Sequence, residues 1–418
     1  MSDRTEKSEK DKAEKKAPLL DVHKMQPETA VAYLIETAVN QGASDLFFLA
    51  DEGKITVKVR HLGIVRTISQ IPLEMGKRCL GYIRANAALD LTEKRRPIDG
   101  RWIYRKPEGQ IIDLRINAIP SLYGEDFAIR LLVRANSLVP LDTLGMTTPQ
   151  LHEYQQMLAS PSGLVLITGP TGSGKTATLY STLTRLNDGS RKINTIEDPV
   201  EYAIEGVRQS QVNPQIDLGF ADLLRAVLRQ SPDVIMIGEI RDQETARTAV
   251  HAANSGVVVF ATLHAPSTAT AIQAMRSLGV HNHFLATSLR GIVSQRLVRT
   301  IDPATRVAYD LPDGPGAFDE VKPWLAPGEG TKLYAPRPAA SNQFTGYTGR
   351  TGVFEVMSIT PKIRNLVSEG APAREIRAKA VEEKMLEFRL AATLKVARGE
   401  TTMEEVFRVV PTEHLIEE

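Results

Sequence analysis

The sequence predicts an α/β protein in which a parallel sheet with crossover helices follows a smaller α+β domain. Two patterns lead to this prediction. Short apolar runs in the central part of the chain alternate with helix-compatible segments, as buried parallel strands and their crossover helices do. The earlier part carries short stretches of alternating polar and apolar residues, which are typical of half-buried strands. The 418 residues suffice for two or three domains of about 100–200 residues each.

Composition argues against several classes of protein. The chain is 42% apolar and 24% charged, which disfavours wholesale disorder, collagen and coiled coil. Lysine plus arginine number 51 and aspartate plus glutamate 50, so the net charge of +1 provides no global basic field for nucleic acid or anionic lipid. The single cysteine, Cys79, rules out an internal disulfide and a multi-cysteine zinc cluster, which fits the cytosol. No run reaches about 18 apolar residues, and the first residues lack the apolar core of a signal peptide.

The first 24 residues are predicted to be a charged, flexible tail. Between Asp3 and Lys16, 11 of 14 residues are charged with nearly balanced signs, which leaves little apolar surface to offset the entropy of ordering. A helix that binds a partner is the alternative for this tail. Residues 25–134 are predicted to form the α+β domain, with an opening helix from Thr29 to Asn40. Its predicted strands are Lys54–Arg60, Arg101–Tyr104, Ile111–Ala118 and Ala128–Val133.

Residues 135–149 are predicted to be a linker and a candidate hinge, since Pro140 and Gly145 interrupt a stretch of little periodicity. Residues 150–418 are predicted to form the α/β core. Its apolar strands are Gly163–Thr168, Ile193–Ile196, Val234–Ile237 and Gly256–Leu263, and its helices include Ala221–Arg229 and Gln243–Asn254. The span from Asp302 to Ser341 is rich in Pro, Gly and Ala, and we expect a loop insertion. Helical segments return at Pro361–Glu369, Ala373–Arg398 and Met403–Val409.

One motif in the core predicts a phosphate-binding loop. It lies between the strand Gly163–Thr168 and a helix-compatible stretch, and it fits the pattern G-x-x-x-x-G-K-[ST]. Glycines let several backbone N–H groups face one anion, and the N-terminus of the helix adds partial positive charge. Lys175 is expected to reach the β- and γ-phosphates of ATP, and Thr176 to offer its hydroxyl to Mg²⁺. The loop residues are Gly169, Pro170, Thr171, Gly172, Ser173, Gly174, Lys175 and Thr176.

Three further polar residues follow apolar strands of the core. Glu239 is expected to bring a carboxylate to the phosphates, although an ordinary polar strand end has the same pattern. Glu197 belongs to a group of three carboxylates whose mutual repulsion calls for a cation or solvent, so a magnesium–water network and a surface turn are both compatible with it. His264 is interpreted either as a phosphate sensor or as a satisfied polar residue.

Four of these segments, in this order, resemble the conserved boxes of the secretion ATPase superfamily, specifically the assembly ATPases of type II secretion and type IV pili. The phosphate loop resembles the Walker A motif of that family. The other three matches are Asn194–Glu201 for the aspartate box, Leu228–Asp242 for the Walker B motif and Thr262–His264 for the histidine box. The resemblance extends from about Ala43 to Val410, and it implies a RecA-like P-loop ATPase core preceded by a small PAS-like domain.

The resemblance also implies roles for individual residues. Arg115 and Arg130 fall on the arginine-finger positions of the family, where a fixed guanidinium can stabilise charge on the γ-phosphoryl oxygens. Without the resemblance, both would be interpreted as exposed strand residues. Glu239 is implied to be the base or water-positioning residue, Glu197 to support the Mg²⁺–water network, and His264 to sense the γ-phosphate.

The function that the resemblance implies is a homo-oligomeric, hexameric, cytoplasmic ATPase that uses ATP and Mg²⁺. It would act through an inner-membrane platform protein of a pilus or secretion system, and it would bind no specific nucleic acid. The tetracysteine zinc module of the family has no counterpart, so we expect no zinc and a mobile segment between Asp302 and Ser341. The residues near its cysteine positions are Asp302, Thr305, Ala339 and Asn342.

Three alternative functions stay open at this point. Retraction motors of the same superfamily also lack the zinc module, so a pilus-retraction motor is the first. A nucleic-acid motor on a RecA-like core is the second, and a nucleotide-gated scaffold without useful turnover is the third.

Overall fold

A computed structural model describes residues 18–133, 139–311 and 316–411, so most of the expected charged tail lies outside it. These residues form two compact units. The first comprises the residues up to 133 together with Asp302–Arg306 and Pro336–Gly349, and the second comprises the remainder. Within the described ranges, no helix combines the length and the apolar character needed to cross a bilayer.

The first unit is a six-stranded antiparallel sheet with two helices. Its helices are Pro27–Asn40 (α1) and Leu73–Asn86 (α2). Its strands are Asp45–Asp51 (β1), Lys54–His61 (β2), Ile64–Pro72 (β3), Ile98–Arg105 (β4), Ile111–Ser121 (β5) and Gly124–Val133 (β6), in the spatial order β3-β2-β1-β6-β5-β4. Helix α1 buries Ala30, Leu34 and Ala38, whose spacing places them on one face against the sheet.

Helix α2 has no counterpart in the sequence-based prediction. Gly76 and Gly81 interrupt its pattern, and glycine is a weak helix former. Packing explains the first of these glycines, because a Cβ at Gly76 would collide with the side chain of Ile55 in β2. The helix therefore depends on tertiary contacts: Cys79 and Ile83 are fully buried in the core of this unit.

The second unit is built on a seven-stranded sheet in the order β15-β12-β7-β11-β10-β8-β9. The six strands from β12 to β9 in this order run parallel to one another. Its strands are Gly163–Thr168 (β7), Ile193–Glu197 (β8), Arg208–Gln211 (β9), Val234–Ile237 (β10), Val258–Leu263 (β11), Leu289–Ile301 (β12) and Tyr347–Ser358 (β15). Its helices are Thr148–Leu158 (α3), Lys175–Leu186 (α4), Phe220–Leu228 (α5), Gln243–Asn254 (α6), Thr268–Ser277 (α7), Asn282–Ser288 (α8), Pro361–Glu369 (α9), Ala373–Glu382 (α10), Phe388–Ala397 (α11) and Met403–Val409 (α12).

The prediction of a single helix from Ala373 to Arg398 is wrong, because the structure has two helices there. The first ends at Glu382, and the second begins at Phe388. Lys384 between them has a φ of 76°, a left-handed conformation that terminates a helix. Met385 then turns into the core of this unit, where it is 7% exposed.

The predicted loop insertion from Asp302 to Ser341 contains regular structure. Val307–Asp310 (β13) and Lys332–Ala335 (β14) pair as an antiparallel hairpin. Phe318 and Val321 lie between these strands in the chain and pack into a buried cluster with Phe388 of α11. Burial of these three apolar side chains stabilises the segment against the second unit, and the Pro-, Gly- and Ala-rich composition of the segment does not indicate this packing.

The span predicted as a linker, 135–149, overlaps the second unit. Its residues from 139 onward pack on that unit: Leu141 is buried, Leu144 accepts a hydrogen bond from the backbone of Gly352, and Val139 accepts one from Ser181. The earlier residues of the expected linker lie outside the described ranges. A hinge in this span therefore stays a prediction.

Candidate functional site

The phosphate loop connects the fully buried strand β7 to helix α4. Gly169 has a φ of 144° and Gly174 a φ of 91°, and both values lie in the region that favours glycine. A Cβ at Gly169 would also approach the carbonyl oxygen of Gln295 to 2.5 Å. The sequence pattern therefore corresponds to a backbone path that other residues could not follow without strain.

Polar groups on and beside this loop fit an anion. The Ser173 hydroxyl is buried without a hydrogen-bond partner among the described residues, so a phosphate oxygen could supply the partner it lacks. Lys175 directs its ammonium back over the loop, where Nζ donates to the carbonyl of Gly169 at 2.8 Å. Burial lowers the pKa of Lys175, and the negative charge of Glu239 opposes that shift. Thr176 follows Lys175 in the first turn of α4 and is exposed.

Gln295 of β12 stabilises the phosphate loop through a hydrogen bond to Ser173. Its Nε2 donates to the carbonyl of Ser173 at 2.8 Å, and its Oε1 accepts from the hydroxyl of Thr178 at 2.8 Å. Gln295 is 1% exposed. Sequence reasoning gave it no role, because nothing in the local pattern indicates that β12 pairs with β7.

Glu239 and His264 meet at the same edge of the sheet as the phosphate loop. Strands β7, β11 and β10 are parallel neighbours, so the residues that follow their carboxyl ends lie together. The Nε2 of His264 is 2.9 Å from Oε1 of Glu239, whose side chain is 16% exposed. A cleft of about 350 Å³ opens beside them, with Leu263 and Leu278 in its wall.

Arg241 also contacts Glu239, and sequence reasoning missed it. Its Nη2 lies 2.6 Å from Oε2 of Glu239, and its Nη1 lies 4.0 Å from Oδ2 of Asp198. A hydrogen bond with Glu239 raises the pKa of Arg241. The only signal in the sequence is its place two residues after Glu239, which does not say where the side chain points.

Glu197 lies in a buried hydrogen-bond network with Thr195, Gln209 and Tyr180. Its Oε1 accepts from the hydroxyl of Thr195 at 2.5 Å and from Nε2 of Gln209 at 3.1 Å, and its Oε2 accepts from the hydroxyl of Tyr180. Burial, together with the charge of Glu197, raises the pKa of Tyr180. The next residue, Asp198, is the aspartate-box carboxylate that faces Arg241. Glu197 thus links helix α4 to strands β8 and β9.

Arg115 and Arg130 lie side by side on the sheet of the first unit. Arg115 of β5 is directly opposite Arg130 of β6, and Arg130 is directly opposite Asp45 of β1. Arg101 and Arg60 extend the row at its two ends. Asp45 contacts both of its neighbours, with Oδ1 3.5 Å from Nε of Arg130 and Oδ2 3.4 Å from Nε of Arg60. We call these five residues the arginine row.

A buried parallel sheet that carries a phosphate loop, a carboxylate and a histidine at one carboxyl edge is typical of P-loop NTPases. Residues 23–408 match the family described as "Type II/IV secretion system protein". The chain belongs to this family and is a secretion ATPase.

Curated relatives agree with this assignment. The type II secretion system protein E of Dickeya dadantii is 39% identical over 380 residues, which cover 91% of this chain and 75% of the relative. The type IV pilus assembly ATPase PilB of Acinetobacter baylyi is 37% identical over 388 residues, which cover 90% of this chain and 65% of the relative.

Solved structures have the same fold. The ATPase DotB of Legionella pneumophila superposes with a TM-score of 0.70 at 22% identity, over 93% of this chain and 97% of that one. The pilus retraction motor PilT with bound ADP superposes with a TM-score of 0.60 at 24% identity, over 91% of this chain and 96% of that one. These structures confirm the predicted RecA-like fold class. The family match and the curated relatives confirm the family and the ATPase activity.

Proposed function

We propose that this chain is a hexameric, homo-oligomeric motor at the cytoplasmic face of the inner membrane. It would use ATP hydrolysis to drive a platform protein of a pilus-assembly or type II secretion system. The names of the curated relatives support this function, since they belong to secretion protein E and to pilus assembly ATPases. The structural observation that carries it is the meeting of the phosphate loop, Glu239 and His264 at one edge of the sheet.

The phosphate loop and Lys175 bind the triphosphate in this proposal. Backbone N–H groups of the loop face the phosphates, the Ser173 hydroxyl supplies one further donor, and Lys175 reaches the β- and γ-phosphates. The exposed hydroxyl of Thr176 would hold Mg²⁺, consistent with the preference of that ion for oxygen ligands. When bound, Mg²⁺ supplies charge neutralisation between the β- and γ-phosphates.

Glu239 orients the attacking water and accepts its proton. His264 contacts Oε1 of the Glu239 carboxylate through Nε2 and senses the γ-phosphate. Glu197 contributes from a distance. Because its oxygens already accept hydrogen bonds from Thr195, Gln209 and Tyr180, we assign it to holding the turn that carries Asp198, with any contact to the Mg²⁺ shell made through water.

We assign Arg115 and Arg130 the arginine-finger role that the family resemblance implies, which is to stabilise charge on the γ-phosphoryl oxygens. The place of Arg130 in the arginine row supports this role, because its guanidinium contacts Asp45 while its side chain stays 60% exposed. A fixed but accessible guanidinium is suited to a transferring phosphoryl group.

The proposal is tested by measuring phosphate release and molecular mass on the same sample of full-length protein. We expect Mg²⁺-dependent release of phosphate from ATP in a fraction whose mass, from analytical ultracentrifugation, is six times that of the chain. A monomer with full turnover would contradict the oligomeric motor. Tight DNA binding with a steep salt dependence would instead favour a nucleic-acid motor.

A further inference from the structure

Thr168 is the last residue of β7, and its side chain contacts the backbone on both sides of His264. The Thr168 hydroxyl donates to the carbonyl of Ala265 at 2.8 Å, and it accepts from the N–H of the same residue at 2.8 Å. The carbonyl of Leu263 lies 3.2 Å from this hydroxyl. One side chain therefore holds the two residues that flank His264, although 95 and 97 positions of the chain separate them from Thr168.

These hydrogen bonds continue the pairing of two parallel strands beyond the ends of the strands. Leu263 of β11 is directly opposite Thr168 of β7, and both strands end at this pair. Ala265 is 6% exposed, so its N–H and its carbonyl need partners inside the protein. Thr168 is fully buried and supplies a partner for both groups.

The same segment is also held from β12. The carbonyl of Pro266 accepts from Nη2 of Arg296 at 2.8 Å. Arg296 is itself buried, and its guanidinium lies over the ring of Phe388, 5.1 Å from the ring centroid. The backbone that follows His264 is therefore fixed between β7 and β12. The imidazole of His264 remains half exposed, so its position depends on this backbone.

Thr168 directly precedes the phosphate loop, since Gly169 is the next residue. One buried hydroxyl thus joins the start of that loop to the segment that carries His264. We propose that Thr168 is a positioning residue, which holds His264 beside the phosphate loop and thereby supports the discrimination of ATP from ADP. This inference rests on the proposed role of His264 as the sensor of the γ-phosphate.

A hydroxyl suits this position because it donates and accepts hydrogen bonds at the same time. Valine has nearly the same shape as threonine and neither capacity. Thr168→Val would therefore leave the N–H and the carbonyl of Ala265 buried without their partner, which is costly. We expect the segment to shift until these groups find other partners, and His264 to move with it. Serine keeps the hydroxyl and should preserve the contact.

The test measures the affinities of full-length protein for ADP and for AMP-PNP, a non-hydrolysable ATP analogue, together with kcat for ATP. We expect Thr168→Val to weaken AMP-PNP binding about tenfold, which is the effect of one hydrogen bond to a charged group. The affinity for ADP, which has no γ-phosphate, should stay within about threefold of wild type, and kcat should fall on the order of 10–100-fold. Thr168→Ser should behave like the wild type.

Thr182→Val is the matched control, because it also removes a fully buried threonine hydroxyl from the second unit. That hydroxyl donates to the carbonyl of Thr178 within α4 and contacts Tyr154 of α3, so nucleotide binding and kcat should be unchanged. Binding of ADP shows that the phosphate loop of each variant is folded. If Thr168→Val does not bind ADP, Thr168→Cys takes its place. A thiol is only a weak donor, so this variant should show the same selective loss of AMP-PNP binding.

A double variant separates this inference from the proposed function. His264→Ala alone should weaken AMP-PNP binding, and Thr168→Val added to it should cause no further loss. A further loss of full size would overturn the inference, as would an equal loss of ADP affinity or wild-type AMP-PNP binding in Thr168→Val. A Thr168→Ser variant as impaired as Thr168→Val would also overturn it, because the hydroxyl would then have no role. Unchanged AMP-PNP binding in His264→Ala would instead overturn the role of His264 itself.

Discussion

Asn342 donates a hydrogen bond from Nδ2 to Oδ2 of Asp302 at 2.9 Å, across 40 positions of the chain. The hydroxyl of Thr305 joins the same cluster, since it donates to Oδ2 of Asp302 at 2.9 Å and accepts from Asn342 at 2.9 Å. The hydrogen bond from Asn342 lowers the pKa of Asp302. These are three of the four residues near the cysteine positions of the family, so hydrogen bonds close the base of this segment in the described structure.

We therefore predict that activity does not depend on zinc. ATP turnover in excess Mg²⁺ should be unchanged by a zinc chelator, and elemental analysis should find no stoichiometric zinc. Asn342→Ala should speed proteolytic cleavage between Asp302 and Ser341, because the contacts of its Nδ2 group with Asp302, Thr305 and Arg337 are lost. One tightly held zinc ion per chain would contradict this prediction.

Lys175→Ala and Glu239→Gln should separate binding from chemistry. Lys175→Ala removes the cation of the phosphate loop, so both ATP affinity and turnover should be lost. Glu239→Gln keeps the loop intact, so ATP should bind normally and remain unhydrolysed. Equilibrium binding of a fluorescent ATP analogue, alongside phosphate release, distinguishes the two variants. Hydrolysis at the wild-type rate by Glu239→Gln would exclude it as the base.

Arg115→Ala and Arg130→Ala should each lower kcat by roughly 10³-fold or more, since arginine fingers in other phosphoryl-transfer enzymes have effects of that size. Lysine at either position should not restore the rate, because it lacks the planar fork. Arg78→Ala is the control, at an exposed arginine of α2 in the same unit. Melting temperatures should stay near that of wild type. If both alanine variants turn over normally, the row has no role in hydrolysis.

Tyr180→Phe should lower kcat because it removes one of the three donors that hold Glu197. Loss of a hydrogen bond to a buried carboxylate should also cost about 1–3 kcal/mol of unfolding free energy. Tyr154→Phe is a matched control. It removes another buried hydroxyl, which contacts Thr182 of α4, the helix that also carries Tyr180. It should lower stability without changing kcat. Equal effects of the two variants on kcat would refute a specific role for Tyr180.

Glu405 should make stability depend on pH in the acid range. Burial opposes its ionisation, but hydrogen bonds from Arg408 and Arg299 prevail and lower its pKa from 4.5 to about 2. A carboxyl group with a depressed pKa contributes stability above its unfolded pKa and loses that contribution as the pH falls toward the folded value. Denaturant unfolding should therefore show a loss of about 3 kcal/mol between pH 4.5 and 2 that Glu405→Gln lacks. Parallel pH profiles for both proteins would contradict this.

Much of the fold could be predicted because its signals are local. The apolar runs of β7 and β10 have the lengths and flanking residues of buried strands, and the phosphate loop follows from glycines whose φ values only glycine accepts easily. Helix α2 could not be predicted, since the place of Gly76 in it makes sense only against the side chain of Ile55 in another strand. The same holds for the hairpin β13–β14, whose anchors pack on a helix that follows it by tens of residues.

The sequence by itself determined the phosphate loop, four of the seven strands of the core sheet and the polar residues that follow three of them. It also determined the class of enzyme, because four motifs in a fixed order are specific to one family. Only the tertiary structure decided that Arg241 contacts Glu239, that Glu197 faces Tyr180, and that Asp45 lies between Arg60 and Arg130. These partners are brought together by strand order and register, and no local pattern encodes which strand becomes the neighbour of which.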